Sequence, residues 1–349
     1  MMNNNPLVSI MIPNRNHSMF LDACIESALN QTYKYLDIVV LDNCSDDNSI
    51  EVASRYIKKG VRVCKNARNI GNKNYNVLSS ITDGEYLMLL CADDLIRPTF
   101  IEKCVNIMQK YPNVGYVHGE RDYISVDGTI TELDPFFKCS FVAPGKSVLP
   151  IYMLTDIGQP AQSLIKRSVF NRVSGYNTEF DHTNADKDLW FRLSLVSDYA
   201  YIREKLALIR IHKERETTAG FKSFYHPLAI YLMLSNQVEL GRVSGHQNVL
   251  DRLPAAYRKL SMECLQIAIS CLQDNDKKLA RQYLLFSQIV HEDVIHEDMY
   301  KELQKILTST GSVESMIQQY IQNDMYIMRK RSYEPPDGYQ IIEVDNETT

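Results

Sequence analysis

The stretch VSIMIPNRNHSMFLDACIESALNQTYKYLDIVVLDN, residues 8–43, decides how this chain folds. Val8 to Ile12 is an apolar run, Phe20 to Leu29 repeats apolar residues at helical spacing, and Asp37 to Leu41 is a second run rich in β-branched side chains. Strand, helix and strand in that order describe a β-α-β unit, and strands without polar alternation are those buried on both faces. The connecting segment PNRNHSMF (13–20) contains no glycine. That excludes the G-x-G-x-x-G loop of a dinucleotide-dependent dehydrogenase, and it disfavours a sugar-1-phosphate nucleotidyltransferase, which would carry a glycine-rich basic loop there.

The pattern continues outward. Ser49 to Lys59 predicts a helix, Val61 to Cys64 a strand, Asn72 to Ser80 a helix, Tyr86 to Leu90 a strand, and a further helix runs from beyond Pro98 to Lys110. In such sheets ligands bind just past the carboxyl ends of the strands. Polar clusters stand at three of those ends: Pro13–Asn16, LDNCSDDNS (41–49) and Cys91–Asp94. Any one of them reads equally as a helix-capping loop; three on one edge point to a site. Asp93 and Asp94 follow directly on Leu87–Leu90. Adjacent carboxylates repel, and burying either unpaired is costly, so a positive group or water belongs beside them.

Beyond Val114 the pattern becomes mixed. Gly115–Gly119 reads as a strand, Tyr123–Glu132 as a hairpin turning at Asp127-Gly128, Pro135–Pro150 as a loop, Ser163–Ile165 as a strand and Ala200–Ile211 as alternating strands. Leu189, Trp190 and Leu193 form an apolar helical stripe in which Trp190 is either core or a platform for a sugar ring. From about Phe221 the chain reads as helical, with Leu260–Gln273 and Leu279–Val290 as an amphipathic pair, and ends in a loose tail. The expected division is a catalytic domain over 1–220 and a helical domain over 221–349, the latter holding an acceptor or a second copy of the chain.

A formal charge of -5 argues against a nucleic-acid partner, and 328–331 (MRKR) is the one basic cluster. Eight cysteines at irregular spacing include no C-x-x-C pair, so a zinc knuckle is not expected. The N-terminus lacks signal-peptide character, and no apolar run approaches the ~20 residues that span a bilayer. These features predict a cytoplasmic protein, at most peripheral to a membrane.

Four stretches, residues 8–48, RNIGNKNYN (68–76), GEYLMLLCADD (84–94) and GYNTEFDHTNADKDLWFRL (175–193), together resemble the family-2 inverting glycosyltransferases of GT-A fold. The resemblance covers about the first 215 residues. It implies an α/β, Rossmann-like nucleotide-binding domain with a mixed central sheet, followed here by helices. It also implies sugar transfer from a nucleotide-diphosphate donor, a UDP-sugar, to a hydroxyl of a glycan, lipid-linked or protein acceptor, with Mn²⁺ or Mg²⁺ as cofactor. On this pattern Asp42 receives the nucleobase, with Pro13, Asn14 and Arg15 packed around it. Asp94 ligates the cation while Asp93 leans toward the donor's ribose or sugar, His212 lies near the metal or diphosphate, and Arg68 and Lys73 reach the nucleotide. Asp186 is the general base, with Asp188 a cap or a support. Two positions depart from the family pattern: Asn43, where a second aspartate is common, and Ala185, where an acid usually precedes the base. A hard cation suits a departing diphosphate, and a carboxylate suits an attacking hydroxyl. The rival reading is a catalytically inactive nucleotide-sugar-binding protein on the same fold.

Overall fold

The computed structural model describes residues 5–155, 157–180, 184–212, 224–308 and 333–344. Val8–Asn14 (β1) lies between Leu36–Asp42 (β2) and Tyr86–Leu89 (β4), parallel to both, and Arg62–Lys65 (β3) continues the sheet beyond β2. The register sets Asn14 opposite Asp42, so two of the polar clusters meet at one edge. Val8, Ile10, Ile12, Leu87 and Met88 are wholly buried, as strands covered on both faces require. Ser18–Leu29 (α1), Ser49–Ser54 (α2), Lys73–Ser80 (α3) and Phe100–Lys110 (α4) connect and cover them. The helix expected over 49–59 is shorter, because a 3-10 turn at Ile57–Lys59 follows and ends on Gly60 at φ +91°.

The second half makes the sheet mixed. Val114–Ser125 (β6) runs parallel to Asp198–Ile211 (β10), and Ser163–Lys166 (β9) runs antiparallel between β4 and β6. Leu95–Ile96 (β5) pairs with β10, and Ile130–Thr131 (β7) closes the expected hairpin on β6, with Gly128 at φ +88°.

Residues 135–150 are not the loop that their prolines suggest. Phe141–Ala143 (β8) pairs with β10, and Gly145–Leu154 (α5) is a helix with Pro150 inside it. Proline cannot donate to the carbonyl four residues back. That carbonyl, of Lys146, instead accepts from Asn248 Nδ2 at 3.0 Å.

Arg167–Arg172 (α6) and Ala185–Ser194 (α7) precede β10; Tyr225–Val243 (α8), Gln247–Leu250 (α9), Leu253–Gln273 (α10), Lys277–Val290 (α11) and Asp298–Thr308 (α12) follow it. One apolar core runs from Met11, Leu89 and Tyr116 on one sheet face through Leu193 of α7 to Leu265, Tyr283 and Leu303 of these helices. A second core, including Ile10, Ile25 and Val105, fills the other face. The boundary expected at 220 and the basic cluster at 328–331 lie outside the described residues. The tail is not loose over 333–344: Gln340–Ile341 (β11) pairs with β8, Tyr333 stacks on Phe136 and Ile342 is buried. Among the described residues no helix is long and apolar enough to cross a membrane.

β6 buries His118 completely, edge-on to Trp190 at 4.7 Å and with Nδ1 3.4 Å from the Tyr199 hydroxyl. Burial, assisted by Arg121, pushes its pKa down to about 3. The unfolded imidazole titrates near about 6.5, so below that pH unfolding takes up a proton. Stability is therefore full above about pH 6.5 and falls by up to about 1.4 kcal/mol per pH unit toward pH 3. Urea unfolding of His118→Leu between those limits should show this component of the slope removed.

Candidate active site

The end of β2 buries a carboxylate. Asp42 is 1% exposed and accepts hydrogen bonds from Asn14 Nδ2 (2.9 Å), the Ser45 amide (2.9 Å) and the Ser45 hydroxyl, the donors that such burial demands. Asn43 is also buried, and its amide is fully used. Nδ2 donates to Asn69 Oδ1 (2.8 Å) and to the Gly71 carbonyl (3.3 Å), while Oδ1 accepts from Asn66 Nδ2 (3.1 Å) and the Ile70 amide (3.0 Å). Asn43 therefore organises residues 66–71, the loop that carries Arg68 and leads to Lys73 at the start of α3. Arg68 and Lys73 are exposed and make no ion pair or side-chain hydrogen bond among the described residues, and Arg15 reaches the Asn43 carbonyl at 3.4 Å. Pro13 closes β1 beside Asn14, opposite Leu41.

The end of β4 resolves the paired acids. Asp94 is buried, its amide donating to the Cys91 carbonyl (3.0 Å) and its Oδ1 accepting from the Arg210 amide (2.9 Å). Asp93 Oδ2 meets His212 Nε2 at 3.0 Å. Burial pushes the Asp93 pKa up, but the His212 hydrogen bond and the charge of His17 hold it below the ordinary value. Arg210 binds the Asp93 carbonyl through Nε (2.9 Å) and the Ser125 carbonyl (2.8 Å), with its guanidinium 4.7 Å over the Phe20 ring. His212 packs on Phe20 and stands edge-on to His17. Donor atoms of Cys91, Asp93 and Asp94 all lie within 4.8 Å of one another. Carboxylates with an imidazole alongside form a set that fits a divalent cation.

The third group sits at the start of α7. Asp186 is 7% exposed and its Oδ1 accepts from the Lys187 amide (2.8 Å). Asp188 is wholly buried against Arg192 (2.6 Å), which also binds the carbonyls of Val173 and Gly175. Burial raises the Asp188 pKa, with Arg192 and Asn236 opposing. The two aspartates thus have separate tasks. Ala185 is fully buried, and Trp190 is core, donating to the Gly158 carbonyl at 3.0 Å. The segment before α7 is tied to α3: Asn76 both donates to the Tyr176 carbonyl (2.8 Å) and accepts from its amide (2.9 Å), and Asn72 donates to the Phe180 carbonyl. The Tyr176 hydroxyl is buried with no hydrogen-bond partner among the described residues, and burial, then Asp186 and Cys91, raise its pKa.

Of the residues singled out in the sequence, the structure brings Asp93 and His212 into contact and sets Asn14 beside Asp42; the bonds made by Arg210, Tyr176 and Asn43 were not foreseen. The available signals were slight: Arg210 stands two residues before His212, which directly follows β10, and Tyr176 follows a glycine, Gly175.

Residues 9–174 match the family model described as Glycosyl transferase family 2. An uncharacterized glycosyltransferase of Rickettsia felis is 31% identical over 246 residues, 64% of this chain and 39% of that protein. Another, of Rickettsia typhi, is 27% identical over 301 residues, 80% of this chain and 88% of that one. The chain thus spans well under half of the first relative and most of the second. Among solved structures, S. aureus TarS 1–349 in complex with UDP-GlcNAc superposes with a TM-score of 0.58 at 13% identity, covering 97% of this chain and 100% of that one. The same protein with UDP gives 0.56 at 12% identity, covering 98% and 97%. At such identity the likeness is one of fold.

Asn43→Asp should destabilise the protein by about 1–3 kcal/mol, because a carboxylate cannot donate to Asn69 Oδ1 or the Gly71 carbonyl. Denaturant unfolding measures the loss, and hydrogen exchange should place it in residues 66–71.

Proposed function

We propose that this chain, which carries a family-2 glycosyltransferase domain of GT-A fold, transfers a sugar from a UDP-sugar to a hydroxyl of a glycan, lipid-linked or protein acceptor, inverting the anomeric centre. The observation that carries the reading is the contact of Asp93 with His212 at 3.0 Å, on the sheet edge that also bears Asn14 and Asp42. Asn14 Oδ1 is a buried acceptor without a partner among the described residues. It lies beside Asp42, where the imide N–H of a uracil would satisfy it. Arg15, Arg68 and Lys73 are the exposed cations available to the diphosphate.

Asp93 and His212 would hold the Mn²⁺ or Mg²⁺, with Asp94 close by. This reading moves the leading role from Asp94, whose Oδ1 is committed to the Arg210 amide, to Asp93. A divalent cation, when bound, supplies positive charge to a diphosphate that becomes more negative as it departs. Asp186 takes the proton of the attacking hydroxyl, on the face of the sugar opposite the leaving group. It stands in the first turn of α7, at the positive end of the helix dipole. Asp188 is unsuited to that task because Arg192 holds it.

Two variants test the assignment. Asp186→Asn keeps the size but cannot accept a proton, so kcat should fall by about 10²–10⁴ while the Kd for UDP stays near normal. More than about a third of wild-type turnover would overturn the base, and a product retaining the donor's configuration would overturn direct displacement. Asp93→Asn should remove the dependence of UDP binding on Mn²⁺ in calorimetry. Undiminished wild-type affinity in a chelator would remove the cation from the scheme.

A further inference from the structure

The function proposed above leaves Cys91 without a task. Its position is set by the backbone: the Cys91 carbonyl accepts from the Asp94 amide (3.0 Å) and from Cys24 Sγ (3.4 Å), directly after β4. Cys24, Cys104, Cys264 and Cys271 belong to the apolar cores, whereas Cys91 belongs to neither and is half-buried. Its sulfur and a carboxylate oxygen from each of Asp93 and Asp94 lie within 4.8 Å of one another. Oxygen ligands stand at about 2.0–2.2 Å from such ions and sulfur at about 2.3 Å. Two donors on opposite sides of one ion are therefore about 4.4 Å apart, and this group is within a small side-chain adjustment of sharing one. The buried Tyr176 hydroxyl, with no hydrogen-bond partner among the described residues, is a second observation at the same place. Tyr176 is tied by its backbone to Asn76 of α3, in the segment that leads to Asp186.

We propose that Cys91 Sγ is a ligand of the cation centre, giving it a preference for thiophilic divalent ions such as Co²⁺ or Zn²⁺ over Mg²⁺. The proposal rests on the cation-binding reading of Asp93 and His212. Thiolate sulfur is a soft donor that strengthens binding of Co²⁺ and Zn²⁺ and does little for Mg²⁺. The thiol releases its proton to solvent as sulfur coordinates.

Co²⁺ supplies a readout independent of turnover. Titrated into the full chain with UDP under anaerobic conditions, it should produce visible ligand-field bands together with an intense near-ultraviolet sulfur-to-cobalt charge-transfer band. Cys91→Ser, and Cys91→Ala as a second variant, should keep the ligand-field bands and lose the charge-transfer band. Their Co²⁺ affinity should fall by about 10–100-fold, the usual consequence of disturbing a ligand sphere, while Mg²⁺ affinity changes far less. Ligand-field bands in the wild type without charge transfer would overturn the sulfur ligand and leave the cation centre standing. A charge-transfer band that persists in both variants would assign the sulfur to another cysteine and overturn the proposal. No Co²⁺ binding by the wild type would overturn both the proposal and the cation reading beneath it.

Discussion

Two adjacent carboxylates at the end of a buried strand constrain the rest of the site. Neither Asp93 nor Asp94 can be buried unpaired, and each takes a partner from a distant strand end. Asp94 takes the amide of Arg210, and Asp93 takes the imidazole of His212, from the far end of β10. Satisfying them obliges β10 to finish beside the turn that follows β4. The pairing of Leu95–Ile96 with Ala207–Leu208 and the Arg210 bonds to the carbonyls of Asp93 and Ser125 hold it there. This edge is thus built by cross-linking two segments that are more than a hundred residues apart in the chain.

Asparagines perform the same service for the loops. Asn43, Asn66, Asn69 and Asn74 link the end of β2 to the loop before α3, and Asn72 and Asn76 link α3 to the segment carrying Tyr176. An amide both donates and accepts, so it can satisfy irregular backbone that no ladder serves. It does so without adding negative charge where a nucleoside diphosphate is proposed to lie. The loop before α3 and the segment leading to Asp186 are connected through that one helix.

Asp42, Asp93 and Asp94 stand out in the sequence because apolar runs lead up to them, and Asp186 because its stretch resembles a family motif, but their separate surroundings are not legible there. Asp93 and Asp94 are neighbours in the turn between β4 and β5, and each meets a different residue at the end of β10. One consequently anchors β10 while the other faces His212. Asp186 and Asp188 are separated in the same way: only Asp188 lies one turn before Arg192, and that pairing removes it from solvent. Residues 135–150 were misread because local rules penalise Pro150 in a helix, and its compensation comes from Asn248 in a distant helix.

By itself the sequence determined the alternation of buried strands and helices and the polar clusters that follow the first, second and fourth strands. These follow from periodicity and from where apolar runs stop. Only the tertiary structure decided which carboxylate is an anchor and which faces the site, and that Asn43 is a loop organiser. It also decided that residues 333–344 return to the sheet and that the helices after β10 share a core with one of its faces. The reason is physical: the partner that a buried charge or amide requires is chosen by proximity in space, and here that partner usually comes from another element.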